Sequence, residues 1–314
     1  MAAFEIAAGT VITMPVRKNI SWKGATWILT SIIFLTCLAQ DHSSRKISQE
    51  QADRLRLTAI LRKSSEYCRK LERAALDFVC LEEVIERFDR TREASKRYML
   101  TDSMGRFRGM EAIPWIPGKL ESRKYLYDYQ FVRKNRKIEE KRNLMETNGK
   151  KIKIQGSSLL TTKFEYQHIL FGPIGLLSEF WQSYHVYKLI GEDTVNREKA
   201  VVIEATPGPS LTGAHSYGRI WIKEDDGSVL KIIWDQRSIG NFKIIENRAK
   251  ELGLEPQLTS ISEYGFEKNG VRFSSRDYTE EAYIKKDGKK YVEAETTVIY
   301  KDYKLFVVET DINY

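Results

Sequence analysis

A series of hairpin turns constrains the fold of this sequence more than any other feature. From residue 123 onward, apolar residues recur at every second position, which is the period of a β-strand. Asn-Gly and Asp-Gly pairs, which favour two-residue hairpin turns, separate the later strands. Consecutive hairpins predict one antiparallel sheet of about ten strands. The turn signals lie at Asp226-Gly227, Asn269-Gly270 and Asp287-Gly288.

A sheet of this size has to curl, so one of its faces becomes concave. Helices are available to cover that face, because residues 46–76 and 242–252 carry the helical spacing of apolar residues. Ser48 and Gln51 have the pattern of a capping box at the start of the first helix. The sequence therefore predicts an α+β fold, a large curled antiparallel sheet in the form of an unclosed barrel, with helices covering its concave face.

The N-terminal segment has the layout of a secretory signal. Basic residues such as Arg17 and Lys23 precede an apolar core at 25–38, and the small residue Ala39 follows. The core of about 14 residues is shorter than the roughly 20 that span a bilayer. We expect cleavage after Ala39, with translation starting at Met14.

Two other N-terminal arrangements stay open, an uncleaved membrane anchor and a lipoprotein with lipid on Cys37. The predicted organisation is a signal peptide at 1–39, an amphipathic helix at 40–76 and a sheet domain at 77–314. Under every arrangement residues 40–314 function outside the cytoplasm, and we expect a periplasmic or otherwise extracytoplasmic protein.

Two cysteines, Cys68 and Cys80, follow the predicted cleavage site. An oxidising compartment favours a disulfide between them. Within one helix they would be about 18 Å apart, too far to bond. Because the helical pattern fades near Ala75 and residues 78–80 have strand character, the chain can bring the two thiols back together. The sequence leaves a disulfide and two buried free thiols as equal alternatives.

The charge pattern excludes a nucleic-acid footprint. The chain carries a formal net charge of +8, yet its basic and acidic residues are interleaved, as in residues 137–142. Nucleic-acid binding requires clustered basic residues. A mixed solvated surface fits better, with weak contact to anionic membrane surfaces as a further expectation.

Sequence motifs for catalysis, cofactors and metals do not occur in the chain. His168, His185 and His215 are far apart, with no ligand at a metal-binding spacing. Glu280 and Glu281 are expected on opposite faces of a strand, where they cannot act together. We therefore expect no cofactor, no metal and no enzymatic activity.

Two apolar segments, residues 110–118 and 168–181, lie outside regular strands. They are expected to line or gate a cavity for an acyl chain, since such cavities are mostly apolar with few polar groups. The alternative is that both segments fill the concave face as ordinary core. The candidate ligand-binding residues are Trp115, Ile116, Phe171, Leu176, Leu177, Phe180 and Trp181, together with Tyr125, Tyr127 and Tyr129 of the tyrosine-rich strand.

The sequence GRIWIKEDDGSVLKI at 218–232 resembles the middle hairpin of the outer-membrane lipoprotein-sorting (Lol-type) carrier superfamily. YDYQ at 127–130 and SEYGFEKNG at 262–270 are similar to parts of bacterial proteins with the same outline. The resemblance runs from about Gln49 to Asp311. It implies an unclosed barrel whose helices cap a hydrophobic cavity, and a carrier or sensor of lipidated ligands, and it assigns no ligand residue.

The leading hypothesis is an exported, non-catalytic carrier that binds lipid or acylated protein in a hydrophobic cavity. The alternative is a periplasmic protein-interaction or envelope-stress sensor module of the same fold with a filled core. A hydrolase whose site forms from distant residues is the third hypothesis. A close-packed interior would favour the second hypothesis, and two titratable groups in contact within a pocket would favour the third.

Overall fold

The structure is a computed structural model, and it describes most of the chain from Ala25 to Leu305. None of the helices in these described parts is long and apolar enough to cross a membrane. The described residues are 25–76, 78–89, 98–101, 107–111, 118–134, 137–161, 163–164, 171–211, 215–240 and 242–305.

The fold is built from fifteen strands and four helices in the described residues. Helices are α1 (Ala25–Ala74), α2 (Gly172–Leu177), α3 (Glu179–Gln182) and α4 (Phe242–Leu252). Strands are β1 (Phe78–Asp89), β2 (Tyr98–Thr101), β3 (Phe107–Glu111), β4 (Leu120–Lys134), β5 (Lys137–Thr147), β6 (Lys150–Ile154), β7 (His185–Val195), β8 (Glu198–Pro207), β9 (Gly218–Ile222), β10 (Val229–Trp234), β11 (Glu255–Glu263), β12 (Phe266–Lys268), β13 (Val271–Phe273), β14 (Arg276–Ile284) and β15 (Lys290–Leu305).

Eleven of these strands form one antiparallel sheet that does not close on itself. Their order is β6-β5-β4-β1-β15-β14-β11-β10-β9-β8-β7, so β6 and β7 are its edges. The pairs β2–β3 and β12–β13 form two small separate ladders. The predicted α+β fold with a large unclosed antiparallel sheet is therefore confirmed, with one strand more than the ten expected.

The strand β1 lies in the middle of the sheet between β4 and β15. Its Glu82 is paired with Tyr127 on one side and with Tyr300 on the other. The first strand, β1, is thus paired with the last strand, β15. Hairpin-turn signals in the sequence cannot predict a pairing between strands so far apart in the chain. Strand β6 was also not predicted, because its five residues carry no turn-bounded apolar pattern of useful length.

Helix α1 extends from Ala25 to Ala74 and is longer than the predicted helix at 46–76. The part of α1 from Leu55 onward belongs to the same compact unit as the sheet. Within that unit Ile60, Tyr67 and Leu71 of α1 are fully buried. Helix α4 has the predicted bounds and ends before Gly253, whose positive φ of 64° suits glycine.

The face of the sheet against which α1, α2 and α4 pack is called the inner face here. One main hydrophobic core joins these helices to it, with side chains from α1, β1, β4, β8–β11 and β15. On the opposite face a smaller apolar cluster surrounds Trp221, which covers Ala200, Val202 and Leu230. The hairpin between β9 and β10 confirms the turn at residues 224–227.

Cys68 and Cys80 do not form a disulfide in the structure. Cys68 and Cys80 are both free and both buried. The Cys68 thiol donates to the carbonyl oxygen of Pro173 at 3.4 Å. Of the two alternatives that the sequence left, the structure contains the pair of buried free thiols.

Candidate functional site

The inner face has two halves of different chemistry. Over β8, β9 and β10 it is apolar, because residues paired across these strands share one face and all are hydrophobic. Over β1, β5, β14 and β15 it contains buried polar and charged side chains. The apolar half consists of Val201, Ile203, Ala205, Ile220, Ile222, Val229 and Ile232, and the charged half includes Glu82, Glu86, Arg142, Asp277, Thr279 and Thr296.

A buried ion pair lies at the centre of the charged half. Arg142 donates through Nε to Glu82 at 2.6 Å and through Nη2 to the other oxygen of Glu82 at 3.0 Å. Its Nη1 donates to Glu140 at 2.9 Å. The Tyr300 hydroxyl adds a hydrogen bond to Glu82 at 3.0 Å. Burial raises the pKa of Glu82, and Arg142 opposes that rise.

The three candidate tyrosines of β4 are buried, as expected for one face of a strand. The Tyr129 hydroxyl donates to Glu140 at 2.6 Å, and its ring lies 4.8 Å below the Arg142 guanidinium carbon. The Tyr127 hydroxyl accepts from the backbone nitrogen of Leu160 at 3.1 Å. Two of the three hydroxyls therefore already have hydrogen-bond partners within the chain. Contact of Tyr125, Tyr127 and Tyr129 with a ligand stays a prediction.

The candidate residues of the second apolar segment form α2 and α3 over the inner face. The ring of Phe171 packs 4.7 Å from that of Phe131. A Cβ on Gly172 would lie 2.6 Å from the Tyr264 hydroxyl, so a larger residue here would have to displace the Tyr264 side chain. Leu176 and Leu177 are completely buried in the main core.

An aromatic cluster surrounds α3, and we call it the aromatic rim: Phe180, Trp181, Tyr184, His185 and His215. Trp181 stacks on His215 with ring centroids 4.4 Å apart, and Phe180 meets Trp181 edge-on at 5.1 Å. Phe180 is 62% exposed. The rim therefore presents aromatic surface to solvent directly beside the buried leucines of α2.

The two histidines of the rim were not expected to be neighbours. Strands β7 and β9 both begin at this end of the sheet, which brings His185 and His215 to a ring distance of 4.9 Å. His185 Nδ1 contacts the Trp181 carbonyl and His215 Nε2 the Gly175 carbonyl, each at 2.9 Å. Burial lowers the pKa of His185. One nitrogen of each ring is thus held by a backbone carbonyl, and the buried Nε2 of His185 has no hydrogen-bond partner among the described residues.

No group of three or more metal-ligating side chains occurs among the residues described above. The remaining candidates, Trp115 and Ile116, lie outside the described residues. So does His168 of the second apolar segment.

Polar contacts hold α1 across the sheet. Arg56 forms ion pairs with Glu224 and Glu192, each at 2.7 Å, and Lys63 donates to the Glu224 carbonyl at 2.9 Å. The Tyr67 hydroxyl donates to a backbone carbonyl of β13 at 2.9 Å. A Cβ on Gly227 would lie 2.4 Å from the Lys63 carbonyl carbon. The helix is therefore closely fitted to the β9–β10 turn.

Solved structures with a similar outline include the expected lipoprotein-sorting superfamily. A DUF1329 family protein from Desulfovibrio piger is 10% identical, with 80% of this chain and 95% of that chain covered and a TM-score of 0.34. A putative outer membrane lipoprotein-sorting protein domain from Vibrio parahaemolyticus is 9% identical, with the same coverages and a TM-score of 0.35. A LolA superfamily protein from Nitrosomonas europaea is 14% identical, with 80% and 94% covered and a TM-score of 0.31.

No family model matches the sequence, and no curated protein matches it either. Identities and TM-scores as low as those of the solved structures say nothing about a ligand or a partner. The function proposed below therefore rests on the contacts of this chain.

Proposed function

We propose that this protein is an exported, non-catalytic carrier that binds an acyl chain, free or attached to a protein, beneath α2 and α3. The observation that supports this proposal most directly is that apolar residues of this segment extend from the buried core to the exposed surface. The exposed Phe180 and the half-buried Trp181 of the aromatic rim lie in the same segment as Leu176 and Leu177, which belong to the same main core as the aliphatic residues of the apolar half.

The two halves of the inner face define where the chain of such a ligand lies. An acyl chain inserted beside the buried Glu82 and Arg142 would disturb the hydrogen bonds that hold this pair, and it could not replace them, which is costly. Over β8, β9 and β10 it would meet only aliphatic side chains. The proposed ligand therefore occupies the apolar half and leaves the charged half unchanged.

Binding beneath α2 requires this helix to move, because Leu176 and Leu177 are fully buried in the main core. Helices α2 and α3 have six and four residues, and the extended backbone of Ser178 separates them. Helices this short gain little stability from their own hydrogen bonds. Displacing α2 therefore costs mainly the packing of Leu176 and Leu177, which an acyl chain would replace with similar apolar contacts.

Two variants of equal exposure test the proposal. Phe180 in the rim is 62% exposed and Ile244 on α4 is 63% exposed. We expect native mass spectrometry to detect acyl lipid on the purified protein, and a fluorescent fatty acid to bind and be displaced by oleate. Phe180→Ser should weaken that binding about tenfold or more, while Ile244→Ser leaves it unchanged. No bound lipid together with no fatty-acid binding would refute the carrier.

A second candidate function is a module that binds protein with a filled core. It is favoured by the close packing of the interior, where Tyr127, Leu176 and Ile203 have no exposed surface. Under this function the protein binds no fatty acid, and Phe180→Ser weakens capture of a protein partner while Ile244→Ser does not. The same two variants therefore separate the two candidates.

A further inference from the structure

The strand β6 at one edge of the sheet combines exposed positive charge with exposed apolar surface. All five of its residues are exposed, and it pairs only with β5. Lys150, Lys151 and Lys153 alternate there with Ile152 and Ile154. Both isoleucines are large hydrophobic residues at 40% and 45% exposure. This segment belongs to neither the aromatic rim nor the main core.

The three lysines form no ion pair with any described residue within 4 Å. Glu146 stands opposite Lys151 in the register, yet their charged groups do not meet. Lys124 and Lys301 pair with Glu83, whereas the exposed Lys188, Lys199 and Lys304 form no ion pair with a described residue. On β6 the unpaired charge is concentrated in three lysines within four residues.

Protection of a sheet edge explains only part of this pattern. Lysines and bulges on an edge strand block pairing with another strand. The register between β5 and β6 is irregular between Leu144 and Glu146, as in a bulge. Edge protection does not account for isoleucines at exposed positions, nor for Met145 and Leu160, which are exposed nearby at 39% and 41%.

We propose that the β5–β6 edge is a docking site for an anionic membrane surface. Successive residues of a strand point to opposite faces, so Lys151 and Lys153 flank this edge on one face and Lys150, Ile152 and Ile154 flank it on the other. A surface that meets the strand edge-on therefore contacts the lysines and the isoleucines together. The lysines complement anionic head groups, and the isoleucines enter the boundary with the acyl chains. The bulge and the lysines disfavour an added β-strand as the occupant. This inference is independent of the acyl-binding function, since it concerns different residues.

The test is binding of the full chain to vesicles with and without anionic lipid. Vesicles of phosphatidylcholine with 30% phosphatidylglycerol are compared with phosphatidylcholine alone, and the ratio of the two partition coefficients is measured. Taking the ratio cancels the contribution of apolar contacts to membrane binding, because that contribution does not depend on lipid charge. One lysine near such a surface contributes about fivefold, so Lys150→Gln, Lys151→Gln and Lys153→Gln together should lower the ratio about 100-fold.

The control removes the same charge elsewhere. Lys199, Lys268 and Lys304 are exposed and lie outside β6. Their joint replacement by Gln should lower the ratio less than fivefold, because they do not share a surface with exposed isoleucines. Equal losses in the two triple variants would show attraction by net charge alone and would overturn the proposal, as would a wild-type ratio near one.

A second pair of measurements distinguishes membranes from other anions and from proteins. Ile152→Ser with Ile154→Ser should weaken partitioning onto the anionic vesicles without changing its salt dependence. Inorganic phosphate at matched ionic strength should not compete. Competition by phosphate, or a protein partner lost in the lysine variant while vesicle binding is unchanged, would contradict membrane docking. Thermal unfolding should be unchanged in all variants, because these side chains are exposed.

Discussion

Arg142 and Glu82 form a buried two-point ion pair across 60 residues of sequence, with nitrogen–oxygen distances of 2.6 and 3.0 Å. Arg142→Met would leave Glu82 buried without its cation, which costs about 3–5 kcal/mol. Urea unfolding measures this loss. Glu82→Leu added to Arg142→Met should recover a large part of it, because the isolated charge is then gone.

The exposed ion pair of Arg219 with Glu204 is the control for this prediction. Arg219→Met should change the free energy of unfolding by about 0–1 kcal/mol, since exposed pairs contribute little. A loss of the same size for Arg142→Met would mean that the buried pair does not hold the charged half together.

Asp277 predicts a pH dependence of stability. Burial raises the pKa of Asp277 to about 7 from 3.8, against the hydrogen bond that Ser262 donates at 2.5 Å. A group whose pKa is raised in the folded state binds more protons there than in the unfolded state. The contribution of Asp277 to the free energy of unfolding is therefore fully present below about pH 4. As the pH rises to about 7 this contribution is lost, and the loss is at most about 4 kcal/mol.

Urea unfolding at several pH values between 4 and 8 measures this contribution. Asp277→Asn should clearly reduce the slope in this range, and the slope that is left has the sign expected of Glu82, whose pKa burial also raises. Asp193→Asn is the control, because the pKa of that carboxylate is lowered by the hydrogen bond from Trp221, and its titration lies below this range. An unchanged slope in Asp277→Asn would show that Asp277 is not the group responsible.

Gly227 should tolerate substitution less well than Gly270. Both have positive φ, 73° and 69°, so alanine is strained at either position by about 1–2 kcal/mol. Only Gly227 faces the backbone of Lys63, and nothing lies within 4 Å of a Cβ on Gly270. Thermal unfolding should therefore show a clearly larger loss for Gly227→Ala. Equal losses would mean that α1 is not closely fitted to this turn.

The two cysteines should remain free and unreactive in the folded protein. Burial raises the pKa of both thiols, and the thiolate is the reactive form. For protein cleaved after Ala39, which lacks Cys37, we expect slow labelling of native protein at pH 8 and two labelled thiols per chain after denaturation without a reductant. No labelled thiol in denatured, unreduced protein would show that a disulfide forms after export.

Local patterns in the sequence were sufficient for much of the fold. The Asn-Gly and Asp-Gly turns require positive φ, and Asn269, Gly270, Gly227 and Gly288 all have it. The alternation of Tyr125, Tyr127 and Tyr129 placed them on one buried face because a strand has a period of two. Such features depend on near neighbours in the chain, so they can be read without knowing the partners of each strand.

The arrangement of the candidate site depends on contacts between residues far apart in the sequence, which local sequence patterns cannot predict. The pairing of β1 with β15 sets Glu82 opposite Tyr300, and the common end of β7 and β9 brings His185 beside His215. The sequence by itself determined the antiparallel sheet, the hairpins at Asp226-Gly227, Asn269-Gly270 and Asp287-Gly288, and α4. Only the tertiary structure decided which half of the inner face is apolar and which is charged, because that division depends on the order of strands from distant parts of the chain.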